Sequence, residues 1–137
     1  LYNIVANDLE LSSTLIRTIK QFNDAIKLYG LSGSENEKAS KLLGHPFYAE
    51  VFSDRAYQSN GQLVSRSKSN AMIPNTELIA SRMVNLVKTG KITAEDGTTI
   101  VLKADTICIH GDQPDAADKA LKLKNALIAS GIDIKAE

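Results

Sequence analysis

The sequence contains no tryptophan, a single cysteine and no excess of charge of either sign, with 16 Lys and Arg against 16 Asp and Glu. The balanced charge argues against a general nucleic-acid binder and against a membrane-surface protein. No apolar run approaches the ~20 residues of a membrane-spanning helix. Cys108 cannot form an internal disulfide, which is typical of a reducing compartment, and we expect a cytoplasmic location.

Metal-binding residue types are equally scarce. Two histidines and one cysteine cannot form a Cys-rich zinc site, and no metal site is evident in the chain. The length of 137 residues and the 43% hydrophobic content predict one globular domain over residues 1–137. The first residue is Leu1 rather than Met, and we expect that the beginning of a longer protein is absent.

Helices are indicated by apolar residues at helical spacing that follow capping residues. Asn7 with Glu10, and Ser34 with Glu37, have the spacing of a capping box, and a third helix begins around Asn75. A fourth is predicted over residues 114–130, with the i,i+4 pairs Asp115–Lys119 and Asp118–Lys122 on its solvated side. Three of these helices are predicted to end at glycines, namely Gly44, Gly90 and Gly131.

Strands are predicted over residues 25–31, 47–52, 106–109 and 132–135, and Asp96-Gly97 predicts a hairpin within residues 91–101. Strands that alternate with helices indicate an α/β fold with parallel strands and covering helices, here with one β-hairpin excursion. A closed β/α barrel needs roughly 200 residues or more, so four core strands predict an open sheet or half a barrel.

A histidine and a carboxylate follow the strand predicted over residues 106–109. His110 and Asp112 lie between that strand and the next helix, and ligands bind at the carboxyl ends of strands in parallel α/β folds. The alternative is structural: Asp112 caps the helix ahead of Pro114, and the backbone satisfies His110.

A long polar segment, residues 53–70, also follows a predicted strand. It carries Asp54, Arg55, Tyr57 and Arg66. Long loops without their own secondary structure are usually functional or disordered. Because this loop leaves a strand end, we expect it to cross the same face as His110.

Several separated motifs resemble one known family. They are the stretch 52–57, followed by Asn60-Gly61 and Arg66, the hairpin of residues 91–102, and the stretch 104–112. Together they resemble the LamB/YcsF family, which provides the A subunit of the ATP-dependent 5-oxoprolinase. Ser65 stands where the family usually has Pro, and Asn70 where it usually has Gly.

The resemblance implies a protein about twice this long, folded as an irregular seven-stranded β/α barrel. This chain would be its C-terminal half. It also implies ATP-dependent opening of the lactam 5-oxo-L-proline to L-glutamate, in a complex with subunits B and C. ATP with Mg²⁺ would be used by the full complex.

Six residues are candidates for the site that this chemistry needs. His110, Asp112 and Asp54 are the predicted catalytic residues, because a histidine and carboxylates can move protons and activate water. Arg55, Tyr57 and Arg66 are the predicted substrate-binding residues, since a guanidinium can grip a carboxylate or phosphate by two bonds. The alternatives are an ion pair of Arg55 with Asp54 or Glu50, packing for Tyr57 and a solvated Arg66.

Two other functions stay open at this point. One is a metal-dependent deacetylase of similar barrel type, which would need a His/Asp cluster. The other is a non-catalytic fragment or interaction module with an exposed sheet edge.

Overall fold

The structure, a computed structural model, describes residues 1–112 and 115–135. The elements alternate as predicted, and their bounds in chain order are α1 Tyr2–Val5, α2 Leu9–Asn23, β1 Leu28–Leu31, α3 Glu35–Leu43, β2 Phe47–Phe52, α4 Thr76–Thr89, β3 Lys91–Thr93, β4 Thr99–Val101, β5 Thr106–Cys108 and α5 Ala116–Ala129. The prediction of an α/β fold with parallel strands and covering helices is confirmed, whereas α1 was not predicted.

The chain forms two compact units. The first comprises Leu1–Val51 and Lys103–Thr106, and the second comprises Phe52–Leu102 and Ile107–Glu137. The assignment of residues 1–137 to a single domain stays a prediction.

In the first unit, β1 and β2 pair in parallel, with Leu28 opposite Phe47 and Leu31 opposite Glu50. The segment that leads into β5 follows next in the strand order β1-β2-β5. There the Ala49 N–H donates to the Asp105 carboxylate over 2.9 Å. Helices α2 and α3 pack on each other and are linked by a 2.8 Å bond from Ser12 Oγ to Asn36 Oδ1.

In the second unit, α4 and α5 pack together through inward apolar residues, chiefly Ile79, Met83, Leu86, Leu123 and Leu127. The antiparallel hairpin of β3 and β4 follows α4, with Ile92 opposite Ile100 and Gly97 in the left-handed region at φ 85°. The hairpin predicted from Asp96-Gly97 is therefore confirmed.

The long loop between β2 and α4 is ordered by its own backbone pairing. Arg55 bridges Met72 and Tyr57 bridges Leu63, each in antiparallel geometry. Lys68 and Asn70 reach Glu95 of the hairpin turn over 3.4 and 2.7 Å. Most of the polar segment predicted over residues 53–70 is thus structured.

The predicted glycines at the ends of α3 and α4 are confirmed, whereas the predicted N-terminal caps of α2 and α3 differ from those observed. Gly44 and Gly90 end α3 and α4 in the left-handed conformation, and Asn75 caps α4, as predicted. The cap of α2 is Asp8 rather than Asn7, because the Asn7 amide donates to Asn3 O of the preceding turn. Ser34 makes no side-chain capping bond, and Glu37 accepts from the Gly33 N–H instead.

Helix α5 and the residues after it bring further corrections. Its N-cap is Asp115, so capping by Asp112 was wrong, and the predicted role of Pro114 lies outside the described residues. Lys119 pairs with Asp115 over 3.0 Å but is buried rather than solvated, and Lys122 bonds Glu77 instead of Asp118.

The strand predicted over residues 132–135 is absent from that described stretch. The Ile132 N–H donates back to Leu127 O, after Gly131 with φ 77°. This bond belongs to the end of α5 and turns the chain away from an extended strand.

Across residues 1–112 and 115–135, no helix is long and apolar enough to cross a bilayer.

Candidate active site

A histidine and an aspartate face each other in the second unit. Asp54 lies two residues beyond the end of β2, and His110 lies two residues beyond the end of β5. His110 Nδ1 lies 2.9 Å from both Asp54 oxygens, and the His110 backbone N–H donates to Asp54 Oδ2 over 3.3 Å. The Asp54 side chain is 4% exposed and that of His110 is 19% exposed. The carboxylate therefore fixes one ring nitrogen, and Nε2 is the nitrogen on the far side of the ring.

Residues next to Asp54 in the sequence contact His110 and the segment before it. The Phe52 and His110 rings stack with centroids 5.7 Å apart. Ser53 donates to Cys108 O from both its backbone N–H, over 3.0 Å, and its Oγ, over 2.9 Å. These contacts join the segment before Asp54 to the segment before His110, so backbone geometry brings the two side chains together.

Arg55 and Tyr57 point into the loop framework. Arg55 is 5% exposed, and its Nη2 and Nε donate to Val64 O over 2.6 Å and Ala71 O over 3.4 Å. Tyr57 is fully buried, and its hydroxyl accepts from the Phe52 N–H over 2.7 Å. Substrate binding by either residue stays a prediction, whereas these contacts make both part of the loop's own structure.

Arg66 and Asp112 remain at the surface. Arg66 Nη1 lies 3.9 Å from Asp112 Oδ2, and both side chains are more than half exposed. Asp112 is two residues beyond His110, so the exposed Arg66 guanidinium lies beside the chain segment that follows His110. The structure thus joins Asp54 with His110 and Arg66 with Asp112, as two separate pairs.

Arg82 on α4 was missed by the sequence interpretation. Its Nη1 lies 3.4 Å from Ser53 O and 3.5 Å from Arg55 O, the carbonyls on either side of Asp54. A usable signal was present: residues 79, 82, 83 and 86 share one face of α4, and three of them are apolar and buried. A cation on such a face needs polar partners.

Burial shapes the electrostatics of the two inner arginines. Burial lowers the pKa of Arg55 below its ordinary value, and the positive charge of Arg66 lowers it further, while Asp54 and Tyr57 oppose both. Burial likewise lowers the pKa of Arg82. Both guanidinium groups are therefore partly stripped of water and depend on protein acceptors.

Residues 1–112 and 115–135 contain no group of three or more His, Cys, Asp or Glu side chains that could hold a metal ion.

The fold and the geometry define an α/β protein with a His–Asp pair after two neighbouring strand ends. The model of the LamB/YcsF family matches residues 1–137. The chain belongs to the LamB/YcsF family.

Relatives of known name and structure agree with this assignment. The chain is 43% identical to the 5-oxoprolinase A subunit of Limosilactobacillus fermentum, over 99% of this chain and 55% of that protein. It is 40% identical to the 5-oxoprolinase A subunit of Bordetella parapertussis, over 99% and 54%. The crystal structure of the lactam utilization protein from Thermus thermophilus matches with a TM-score of 0.88 and 32% identity, over 99% of this chain and 54% of that one. The chain spans about half the length of the curated relatives it matches.

Proposed function

We propose that this chain is part of the A subunit of 5-oxoprolinase, a hydrolase that opens the lactam ring of 5-oxo-L-proline to L-glutamate with ATP hydrolysis. The relatives named as 5-oxoprolinase A subunits support this, and the word subunit supports a complex, for which we propose subunits B and C as partners. The observation that carries the chemistry is the contact of His110 Nδ1 with both Asp54 oxygens. A cytoplasmic location follows from the same proposal.

The fold proposal is that this chain supplies the C-terminal half of an irregular seven-stranded β/α barrel. Its support is the match of nearly the whole chain to about half of the Thermus thermophilus protein.

The reaction needs proton transfer at a resistant amide. In a lactam, resonance with the ring nitrogen makes the carbonyl carbon a poor target for water. ATP with Mg²⁺, used by the full complex, would supply a phosphoryl group that activates the carbonyl. Water must then lose a proton as it attacks the carbonyl carbon, and the ring nitrogen must gain one as its bond to that carbon breaks. The acyl phosphate that results would be hydrolysed by a second water to glutamate and phosphate.

In this proposal His110 moves both protons. His110 Nδ1 lies 2.9 Å from Asp54 Oδ1, and in the proposed mechanism the Asp54 carboxylate accepts from Nδ1–H, so that the lone pair of Nε2 takes a proton from water and returns it to the ring nitrogen. Asp54 acts by orienting the ring and selecting this tautomer, as in other His–Asp pairs. Asp112 has a different partner, since its Oδ2 lies 3.9 Å from Arg66 Nη1.

Arg66 is the better-placed candidate for the substrate carboxylate or a phosphate. Its guanidinium is exposed and only loosely paired with Asp112 at 3.9 Å, so an incoming anion can replace that contact. Arg55, by contrast, already donates to two backbone carbonyls.

The test is His110→Asn in the protein as its gene encodes it, assembled with subunits B and C. Asparagine retains an amide near the position of Nδ1, so the contact with Asp54 and the fold can persist, but it carries no proton at neutral pH. We expect kcat for glutamate formation to fall by roughly 10²–10⁴-fold, with a melting temperature close to that of the parent. A normal kcat in the folded variant would end the assignment of His110.

A further inference from the structure

The segment that carries Asp54 is held from three sides. Its Ser53 N–H and Oγ donate to Cys108 O, and Asp54 O accepts from the Ile73 N–H over 2.8 Å. The two remaining carbonyls, of Ser53 and Arg55, both face Nη1 of Arg82. Arg82 thus supplies the donor for the two backbone acceptors that flank the aspartate.

The energetic cost of this arrangement indicates that it is specific. Arg82 is half-buried and lies on the apolar face of α4 beside Ile79 and Met83, and its burial lowers its pKa. A desolvated cation with few partners is unfavourable compared with an apolar side chain of similar size. A residue that served only to fill space on this face would be better as Met or Leu.

The direction of the Asp54 carboxylate depends on the backbone at residues 53–55. The Asp54 side chain is short, with two rotatable bonds, so a rotation of either flanking peptide shifts its oxygens relative to His110 Nδ1. Both oxygens now lie 2.9 Å from that nitrogen. Loss of the donor from α4 would leave the Ser53 carbonyl without this contact and allow the Ser53–Asp54 peptide to turn, whereas the Arg55–Ala56 peptide keeps its bond from the Ala56 N–H to Ala71 O.

We propose that Arg82 is a positioning residue for the Asp54–His110 pair: it fixes the Ser53–Asp54 peptide and, one residue further on, the Arg55–Ala56 peptide, and thereby the tautomer of His110. Arg82 contacts the carbonyls of Ser53 and Arg55 rather than the imidazole or the carboxylate. The importance of the pair for catalysis rests on the proposed function, but its geometry can be measured without any activity.

The experiment compares Arg82→Met and Arg82→Lys with the parent protein, as its gene encodes it, labelled with ¹⁵N-histidine. The His110 signals are assigned by their loss in His110→Asn. We expect the parent to show one tautomer with the proton on Nδ1, and the folded Arg82→Met protein to show a mixture of tautomers. Arg82→Lys retains the charge with one donor group and should restore the single tautomer in part. Lys88→Met removes an exposed positive charge from the same helix and should leave the His110 signals unchanged.

Kinetics in the assembled complex provide the second measurement. Because Arg82 does not bind substrate in this proposal, kcat should fall by up to about 100-fold in Arg82→Met while KM changes little. An unchanged His110 tautomer in folded Arg82→Met would overturn the proposal. If Arg82→Met does not fold, an unchanged tautomer in Arg82→Lys would overturn it. A parent protein without 5-oxoprolinase activity would refute the proposed function, while the tautomer result would still decide the role of Arg82.

Discussion

In the proposed mechanism Asp54 and His110 act together through their contact, so the effects of mutating them should not be additive. Asp54→Asn can donate its amide N–H to Nδ1, which moves the ring proton to Nε2 and removes the base. We expect kcat to fall by up to about 10⁴-fold, as when a neutral amide replaces the orienting carboxylate of a catalytic histidine elsewhere.

The double variant Asp54→Asn/His110→Asn should be no slower than His110→Asn alone, because the second change removes nothing that still acts. The steady-state kcat of the two single variants and the double variant checks this. Asp133→Asn, at an exposed carboxylate near the end of the chain, is the control. Multiplicative losses in the double variant would show that the two side chains act independently.

Arg55 and Arg66 differ in what their guanidinium groups contact, so they should differ in which quantity changes. Arg55→Met leaves Val64 O without its 2.6 Å donor inside the loop and should lower the free energy of unfolding by about 1–3 kcal/mol. Arg66→Gln removes an exposed group and should hardly affect stability. If Arg66 binds the substrate anion, KM should rise by about 10- to 100-fold, with a smaller fall in kcat.

Urea denaturation and steady-state kinetics on both variants separate these effects. The opposite result, an Arg55→Met variant of unchanged stability with a raised KM, would indicate that Arg55 binds the substrate.

At the scale of elements, local chemistry predicted most boundaries correctly. Asp96-Gly97 determined a hairpin because a tight turn needs positive φ, and Gly44 and Gly90 ended helices for the same reason. The failures occurred where two neighbouring residues could do the same task. Asn7 and Asp8 are both good caps, and the choice of Asp8 depended on α1, which uses Asn7 and was not predicted.

Long-range partners were the other source of error. Lys122 has Asp118 at helical spacing on its own helix, yet it bonds Glu77 of α4 over 3.2 Å. Arg82 on α4 contacts carbonyls 27 and 29 residues away. Periodicity identifies which face of a helix is buried, but it cannot identify which backbone groups will lie opposite that face.

The junction of α4 and α5 gives a prediction of pH dependence. The pKa of Glu77 is lowered by its own backbone N–H and then by Lys122, and the pKa of Asp115 is lowered by Lys119. A carboxyl group whose pKa is lower in the folded state stabilises the protein above its unfolded pKa. That contribution is lost as the pH falls through the folded pKa. The pH range in which this stabilisation is lost therefore begins near the ordinary pKa values, 4.5 for Glu77 and 3.8 for Asp115, and extends below them.

Melting curves of the parent and Lys122→Met between about pH 6 and pH 3 test this. The parent should melt at the higher temperature near neutral pH, by a small margin because both side chains are exposed, and the margin should vanish in acid. Lys124→Met, an exposed change on the same helix, is the control. A margin that does not change with pH would contradict the contribution of Glu77.

For the molecule as a whole, the alternation of helices and strands predicted the fold class. The contacts between the candidate site residues became clear only from the three-dimensional structure. Asp54 and His110 are 56 residues apart, and the sequence could place them only at strand ends that were expected to share a face. The same expectation included Arg55 and Asp112, which have other partners. The sequence does not specify which of several polar side chains after a strand will turn toward the partner strand.

The relatives that this chain matches are about twice as long, and the 5-oxoprolinase reaction must bind a lactam, activate its carbonyl and transfer two protons. The described residues supply the Asp54–His110 pair and the exposed Arg66, which in the proposed mechanism serve the last of these tasks and part of the first. We therefore expect purified residues 1–137 to release no glutamate from 5-oxoproline and ATP, whereas the protein as its gene encodes it, combined with subunits B and C, does so.

Circular dichroism and the ¹⁵N tautomer of His110 show whether the isolated chain is folded with the pair formed. A folded, inactive chain would separate formation of the pair from turnover, and glutamate release by the isolated chain would show that these residues suffice for the reaction and contradict the prediction.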